Sequence, residues 1–401
     1  MAHKGALISA SIPVMRPTLG ADEAQAAAEA VRSGWVAQGP RVAAFEQAFA
    51  ARVGAAFGVA VSSCTAGLHL ALHTLGLEPA DEIVIPSLSF IATTNAVRYT
   101  GATPVWADVD VVTGNLTAQS VAQVSGPRTR AVMVVHQAGL PADLGSLRDF
   151  CVERGFVLLE DAACAAGSTY AGRPVGNTAY IAAWSFHPRK VLTTGEGGML
   201  TTDDPELAAR LRRLREHGMN VSAADRHAAG RPIAEQYLEI GFNYRMTDVQ
   251  AAIGLVQLGK LDAMVARRRA LAAEYHRLLA GIPGVRAVAD PPYGTTNYQS
   301  FWVLLEDEYP AGRDEVMLAM NAEGISPRRG IMAAHLEPAY EGHPHAGLPV
   351  TEKLTRRSLI LPLYDDMSDN DQARVVAVLR QLAEPTDGLL ADAESTGRDS
   401  S

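Results

Sequence analysis

Phe156-Val157-Leu158-Leu159-Glu160-Asp161 is an apolar run that closes on two carboxylates. Consecutive apolar residues without polar alternation suit a strand buried on both faces, as in a parallel sheet. Similar runs follow at residues 182–186 and 198–202. Others precede it at 57–62, 82–86, 103–106 and 131–136. Between the runs, 22–33, 42–52, 67–75, 91–100 and 144–154 carry apolar residues at helical spacing. Strand and helix in alternation predict an α/β fold, with a mainly parallel sheet sandwiched by helices. Ligands of such sheets bind outside the carboxyl ends of the strands, which is where Glu160-Asp161 falls.

The pattern changes after Ala251. Residues 255–279 read as one long helix carrying Arg267, Arg268 and Arg269, bridging to a smaller C-terminal α+β domain. That domain is expected to use 298–305, a helix near 313–323, and 372–382. The predicted division is a large ligand-binding domain over 1–255, a smaller domain over 256–384, and a tail over 385–401. The tail is rich in Asp, Ser and Gly and has too little apolar surface to order itself. No internal repeat is visible.

A chain of 401 residues can bury one large core and a second smaller one. With 48% hydrophobic and 20% charged residues, the composition is that of a soluble globular enzyme. The net charge of -9 argues against non-specific nucleic-acid binding, which needs a basic surface. An acidic protein that handles an anion must build a local positive site from amides, Arg or Lys. Cys64, Cys151 and Cys164 are odd in number and lack metal-ligand spacing, so free thiols in a reducing cytosol are expected, and no metal. The N-terminus lacks a signal-peptide apolar region, and no stretch reaches the roughly 18 uncharged apolar residues of a membrane span. The expected location is the cytoplasm.

Four features could carry chemistry. Asp161 lies two residues past the apolar run; a carboxylate there could hold a protonated ring nitrogen or cap a helix. Lys190 follows Ser185-Phe186-His187-Pro188-Arg189 and precedes Gly195-Glu196-Gly197-Gly198. A partly desolvated lysine can act as a nucleophile and move protons, although most lysines are on the surface. The turn Ser63-Cys64-Thr65-Ala66-Gly67 opens a helix, where free amides and the dipole favour a phosphate, and where Ser and Thr also serve as plain caps. Phe90 could stack on a planar ring or belong to the core. There is no nucleophile elbow or Walker loop, and His343 and His345 fall in a Gly/Pro-rich loop expected to be solvated.

From about Ile12 to Leu382 the sequence resembles the DegT-like sugar aminotransferases, a branch of the fold type I pyridoxal-phosphate enzymes. The matching stretches, in order, are Ser33-Gly34-Trp35 to Gln38-Gly39-Pro40, Ser63-Cys64-Thr65-Ala66-Gly67-Leu68 and Pro86-Ser87-Leu88-Ser89-Phe90. Then come Glu160-Asp161-Ala162-Ala163, Ser185 to Lys190, Gly195-Glu196-Gly197-Gly198-Met199, Gly241-Phe242-Asn243-Tyr244-Arg245-Met246 and Leu361-Pro362-Leu363-Tyr364. The resemblance implies a fold type I, seven-stranded sheet and pyridoxal 5'-phosphate as cofactor. It makes Lys190 the Schiff-base lysine, and Asp161 the partner of the pyridine nitrogen. It gives Thr65, Ala66 and Ser185 the phosphate, Phe90 the ring face, and Asn243 a reach into the site of a second subunit, hence a homodimer. Cys164 stands where many members place a Gln on the phenolic oxygen, Ala166 replaces a usual His, and Gln137-Ala138-Gly139 replaces Leu-Tyr-Gly. The implied reaction moves an amino group from glutamate or glutamine to a keto-sugar, commonly nucleotide-linked. A cyclitol ketone and a non-catalytic regulator are the alternatives. Trp35, Gln38, Tyr244, His335 and Tyr364 are substrate-contact candidates.

Overall fold

The computed structural model describes residues 11–222, 226 and 232–384. Five strands come first: β1 (Phe57–Val61), β2 (Glu82–Pro86), β3 (Thr103–Ala107), β4 (Thr129–Val135) and β5 (Val157–Asp161). A short ribbon, β6 (Thr169–Tyr170) and β7 (Arg173–Pro174), leads to β8 (Ile181–Ser185) and β9 (Gly198–Thr202). The main sheet has the order β1-β9-β8-β5-β4-β2-β3. Strands β3, β2, β4, β5 and β8 run parallel, and β9 is antiparallel to both β8 and β1. The α/β class and the mainly parallel seven-stranded sheet follow the sequence expectation.

The helices of this half are α1 (Ala21–Arg32), α2 (Pro40–Val53), α3 (Cys64–His73), α4 (Ala92–Tyr99), α5 (Ala118–Val124), α6 (Leu144–Arg154) and α7 (Pro205–Leu214). Alternate strand residues feed two cores, one on each face of the sheet. Val84, Val132 and Ala182 join Phe45 and Phe49 of α2. Ile83, Ile85, Met133 and Ala183 join Leu70 and Leu72 of α3. Each of the Val, Ile, Leu, Met and Phe side chains among them, fully buried, stabilises the fold by about 1.5–3 kcal/mol.

Helix α3 and one later helix show how a cap can start a helix before its apolar periodicity does. Helix α3 begins at Cys64 rather than at 67, because Ser63 caps it by accepting the Ala66 N–H at 3.1 Å. Helix α8 (Asp248–Leu279) begins well before 255: Thr247 and Gln250 form a capping box. Helix α8 is long and apolar enough to cross a membrane by length and composition alone. Here it packs on α1 and α2, with Leu261, Met264, Leu271 and Tyr275 buried.

Beyond α8 come β10 (Val285–Ala287), β11 (Gly294–Thr295), β12 (Phe301–Leu305), α9 (Arg313–Ala322), β13 (Arg328–Arg329), α10 (Pro349–Arg357), β14 (Ser358–Leu361) and α11 (Asp369–Ala383). They build a four-stranded antiparallel sheet, β10-β12-β14-β13, while β11 joins β6 and β7. The strand expected over 298–305 starts only at Phe301, because Tyr298 takes a left-handed turn with φ 49°. Residues 12–14 run beside this smaller sheet: Ile12 pairs with Ile325, and Val14 O accepts the Leu363 N–H. The tail over 385–401 lies outside the described residues.

Candidate active site

Strand register gathers the site at one edge of the sheet. Asp161, the last residue of β5, lies opposite Val135 of β4 and Ala183 of β8. Ser185 ends β8 opposite Gly198, and Gly198 lies opposite Val61 at the end of β1. The Ser63-Cys64-Thr65 turn therefore sits over the start of β9. A Cβ on Gly198 would fall 2.6 Å from the Cys64 nitrogen, so only glycine allows the strand to pass there.

Asp161 is buried. Thr93 Oγ1 donates to Oδ2 at 2.8 Å and the Ala163 N–H donates to Oδ1 at 3.2 Å. With its proton spent on Asp161, Thr93 accepts from Ser89 Oγ at 2.7 Å. Burial pushes the Asp161 carboxyl above its ordinary value, against the opposing pull of Thr93, the Ala163 amide, Lys190 and His136. The neighbouring carboxylate has a different role. Glu160 accepts from His136 Nε2 at 3.0 Å and from the amides of Gly176, Thr178 and Ala179. His136 Nδ1 accepts the Ala142 N–H, so His136 and Glu160 tie two loops together inside the protein.

Lys190 is carried by the loop after β8, which Phe186 closes by donating to Gly197 O and accepting from the Thr194 N–H. Its Nζ donates to Cys164 Sγ at 3.0 Å. Burial alone would lower the Lys190 pKa; Cys164, Cys64 and Asp161 around it more than offset this and raise it. Burial, and then Asp161, hold the Cys64 thiol protonated by pushing its pKa well up.

Two buried carboxamides lock this arrangement from the far side. Gln299 accepts the Val191 N–H at 2.8 Å and donates to Arg189 O at 2.5 Å, bracketing Lys190. Asn297 donates to Cys164 O and Ala166 O, both at 2.8 Å, and accepts the Gln299 N–H at 2.7 Å. The loop holding both is itself pinned by α8: Arg268 donates to Tyr298 O at 3.2 Å and Arg269 to Thr296 O at 2.7 Å. Burial lowers the Arg268 pKa, and Asp365 at 3.7 Å partly restores it.

The other candidates divide. Thr65 and Ala66 stand in the first turn of α3 at the shared edge; the Ala66 amide is engaged with Ser63, and those of Cys64 and Thr65 precede the first intrahelical bond. Phe90 is 63% exposed, one turn before Thr93, so it is not core. Gln38 donates to Glu216. The segment from Trp35 to Gly39 is fastened to Asp248, whose N–H bonds Ala37 O and whose carboxylate accepts the Arg41 and Val42 amides. In the same turn of α8, Gln250 donates to Glu196 O. Asn243 is exposed. Tyr244 stacks on Phe242 and shares a hydrogen bond with His69 of α3. His335 pairs with Ser87 at 2.7 Å and packs near Trp106, while Tyr364 is buried under Arg16. His343, expected in solvent, packs edge-on against Trp106 and meets Pro104 O. Gln137 is buried and donates to Leu88 O, so this part of the altered loop packs inward.

Residues 17–380 match the model of the DegT/DnrJ/EryC1/StrS aminotransferase family, and the chain belongs to that family. It is a pyridoxal-phosphate-dependent transaminase with a fold type I architecture. Similar solved structures include the aminotransferase TlmJ from Streptoalloteichus hindustanus, at 38% identity and TM-score 0.85, covering 92% of this chain and 98% of that one. DesI, crystallised in the presence of its TDP-sugar product, shares 36% identity with TM-score 0.84 and 93% coverage of both chains. DesV from S. venezuelae shares 35% identity with TM-score 0.86, over 94% of this chain and all of that one.

The residues at the sheet edge fit pyridoxal phosphate: a buried carboxylate, an enclosed amine, unspent helix-start amides and an uncovered aromatic ring. Sequence reasoning missed Thr93, Ser89, Asn297 and Gln299. Thr93 and Ser89 flank Phe90 and could have been found as hydroxyls beside a strand end. Asn297 and Gln299 lie over a hundred residues from Lys190 with no motif around them.

Proposed function

We propose that the chain moves an amino group from glutamate or glutamine to the keto group of a nucleotide-linked sugar, in amino-sugar biosynthesis in the cytoplasm. The observation that carries the amino-transfer chemistry is the pairing of buried Asp161 with enclosed Lys190 on one strand edge. The TDP-sugar in the DesI structure supports a sugar acceptor. Three free cysteines fit a reducing compartment.

Bound pyridoxal phosphate supplies the electron sink that acidifies the carbon bearing the amino group. Asp161, fixed by Thr93 and the Ala163 amide, presents a carboxylate to the protonated ring nitrogen. The turn at Cys64 and Thr65, with Ser185, receives the phosphate. Phe90 covers the ring face. Lys190 holds the cofactor and moves the proton between substrate carbon and its own Nζ, and Gln299 keeps its backbone in place for both half-reactions.

The working unit is a homodimer in which Asn243 completes the partner's phosphate site. Two features support this: Asn243 is exposed on its own chain, and Tyr237, Leu238 and Ile240 just before it are 62%, 59% and 87% exposed. The proposed division remains a cofactor-binding domain over 1–255 and a smaller domain over 256–384. Among the substrate candidates, Trp35 and Gln38 are favoured, because their segment is tied through α8 to the glycine loop after Lys190.

The test is a spectroscopic titration. Wild-type protein with cofactor should be yellow and should bleach with glutamate or glutamine, then recover with a keto-sugar nucleotide. Lys190→Ala should lose turnover by about a thousandfold or more. Full turnover in that variant would overturn the assignment of Lys190. Recovery with inososes alone would move the acceptor to cyclitols, and binding without bleaching by any donor would favour a regulator.

A further inference from the structure

A concentration of positive charge beside Lys190 has no use in the chemistry so far. Arg189 and Arg328 line one cleft with Val14, Gln299, Ser300 and Leu361, where the segment at Val14, the Lys190 loop and the smaller sheet meet. Arg328 comes from β13 and Arg189 from the residue before Lys190, so the two belong to different parts of the fold. Among the described residues neither guanidinium has an ion-pair partner. Arg329, by contrast, pairs with Glu337 at 3.2 Å. His187 lies in the same cluster: burial lowers its pKa, Glu196 at 3.9 Å works the other way, and Lys190, Arg189 and Arg328 side with burial, so the imidazole favours its neutral form. Burial, then Arg189, then Arg329 lower the Arg328 pKa, which places like charges close enough to oppose one another. On a chain of net charge -9, opposed cations in a cleft are an arrangement that an anion would relieve.

The cleft is also held still on one side. Gln299, part of its wall, donates to Arg189 O, and Ser300 N–H bonds Ala138 O. A guanidinium offers paired donors that match a carboxylate or a phosphate.

Resting on the transaminase reading, we propose that Arg189 and Arg328 form a substrate-anion subsite in this cleft, next to the Lys190 loop. Its ligand is an oxyanion of the substrate, either a carboxylate of the amino donor or the diphosphate of a nucleotide-linked acceptor. This subsite is separate from the helix-start turn at Cys64 and Thr65 that serves the cofactor phosphate. It gives the enzyme a fixed anchor, so that binding energy from a remote charge orients the reacting carbon.

The experiment uses cofactor-loaded protein and two probes that need no turnover, UDP and succinate, each followed by calorimetry. Arg328→Gln and Arg189→Gln should weaken at least one probe about tenfold, and the affinity should fall with added salt. Arg329→Gln should leave both unchanged, and Arg328→Lys should restore part of the loss, which a folding defect would not. Weakened UDP alone assigns the subsite to the nucleotide diphosphate; weakened succinate alone assigns it to the donor. If neither probe weakens in the Gln variants, or wild type binds neither, the subsite is wrong. Amino transfer is measured separately on wild type. Its absence alongside charge-dependent probe binding would sink the catalytic reading and leave the subsite standing.

Discussion

In the proposed site, Lys190 and Asp161 are each held by neighbours. Gln299 makes the case most sharply, because its one carboxamide takes the amide after Lys190 and gives to the carbonyl before it. Gln299→Leu keeps the volume and removes both bonds, leaving Val191 N–H and Arg189 O without that partner in a buried setting. The expected stability loss is about 2 kcal/mol. The expected catalytic loss is about tenfold or more in kcat with KM little changed, since the lysine is displaced rather than removed. The cofactor's absorbance should titrate with a shifted pKa in the variant, whereas a purely structural role would leave that titration in place. The placement of Asp161 and Lys190 at one sheet edge was legible in the sequence, because each adjoins a strand end and carries a chemically distinctive group. Gln299 was not, because an amide side chain acting on backbone leaves no spacing pattern. From residue type alone Phe90 read as either core or ring contact, and its exposure settles that it is not core.

At the level of elements, the sheet was readable because strands buried on both faces are written as apolar runs. Helix starts were not, where a cap rather than an apolar residue sets them, as at Ser63 and Thr247. The three arginines of α8 illustrate a further limit: they read as a charged stretch, yet Arg268 is buried and Arg268 and Arg269 shape the loop that holds the site. Helix α8 is in turn anchored to α1 through Glu23, which accepts from Gln257 Nε2 at 2.9 Å, Lys260 Nζ at 2.8 Å and the Gly20 N–H at 2.8 Å. Burial works against the carboxylate, but these donors outweigh it and lower its pKa to about 2. A folded pKa below the unfolded value of about 4.5 adds stability that is fully present above pH 4.5. That stability is lost as pH falls from there toward 2. Glu23→Gln should therefore cost about 1–2 kcal/mol at neutral pH, with the gap to wild type closing through this window. Denaturant melts at pH 7, 4 and 3 measure it, and a gap that stays constant with pH would rule out the charged anchor.

On the scale of the whole molecule, the proposed site lies at a sheet edge where several of the chain's own residues stand exposed. Phe90 stands exposed above Asp161's partner Thr93, and Asn243 and the apolar strip from Tyr237 to Ile240 face outward. A second copy that buries the strip and lends Asn243 would account for both. The consequence can be worked out by counting sites. Lys190→Ala and Asn243→Ala homodimers should each be impaired, the first at the reacting amine and the second at the cofactor phosphate. In a mixed dimer, one site combines the Lys190→Ala chain with the lost Asn243 of its partner, while the other has an intact lysine and an intact Asn243. Random exchange at equal concentrations makes half the dimers mixed, so about a quarter of wild-type activity should return. Unfolding and refolding the two variants together, followed by cofactor titration and turnover, gives the measurement. Recovery to that level requires a site shared across the interface; if the mixture shows only the average of the two variants, each chain completes its own site and the dimeric reading falls.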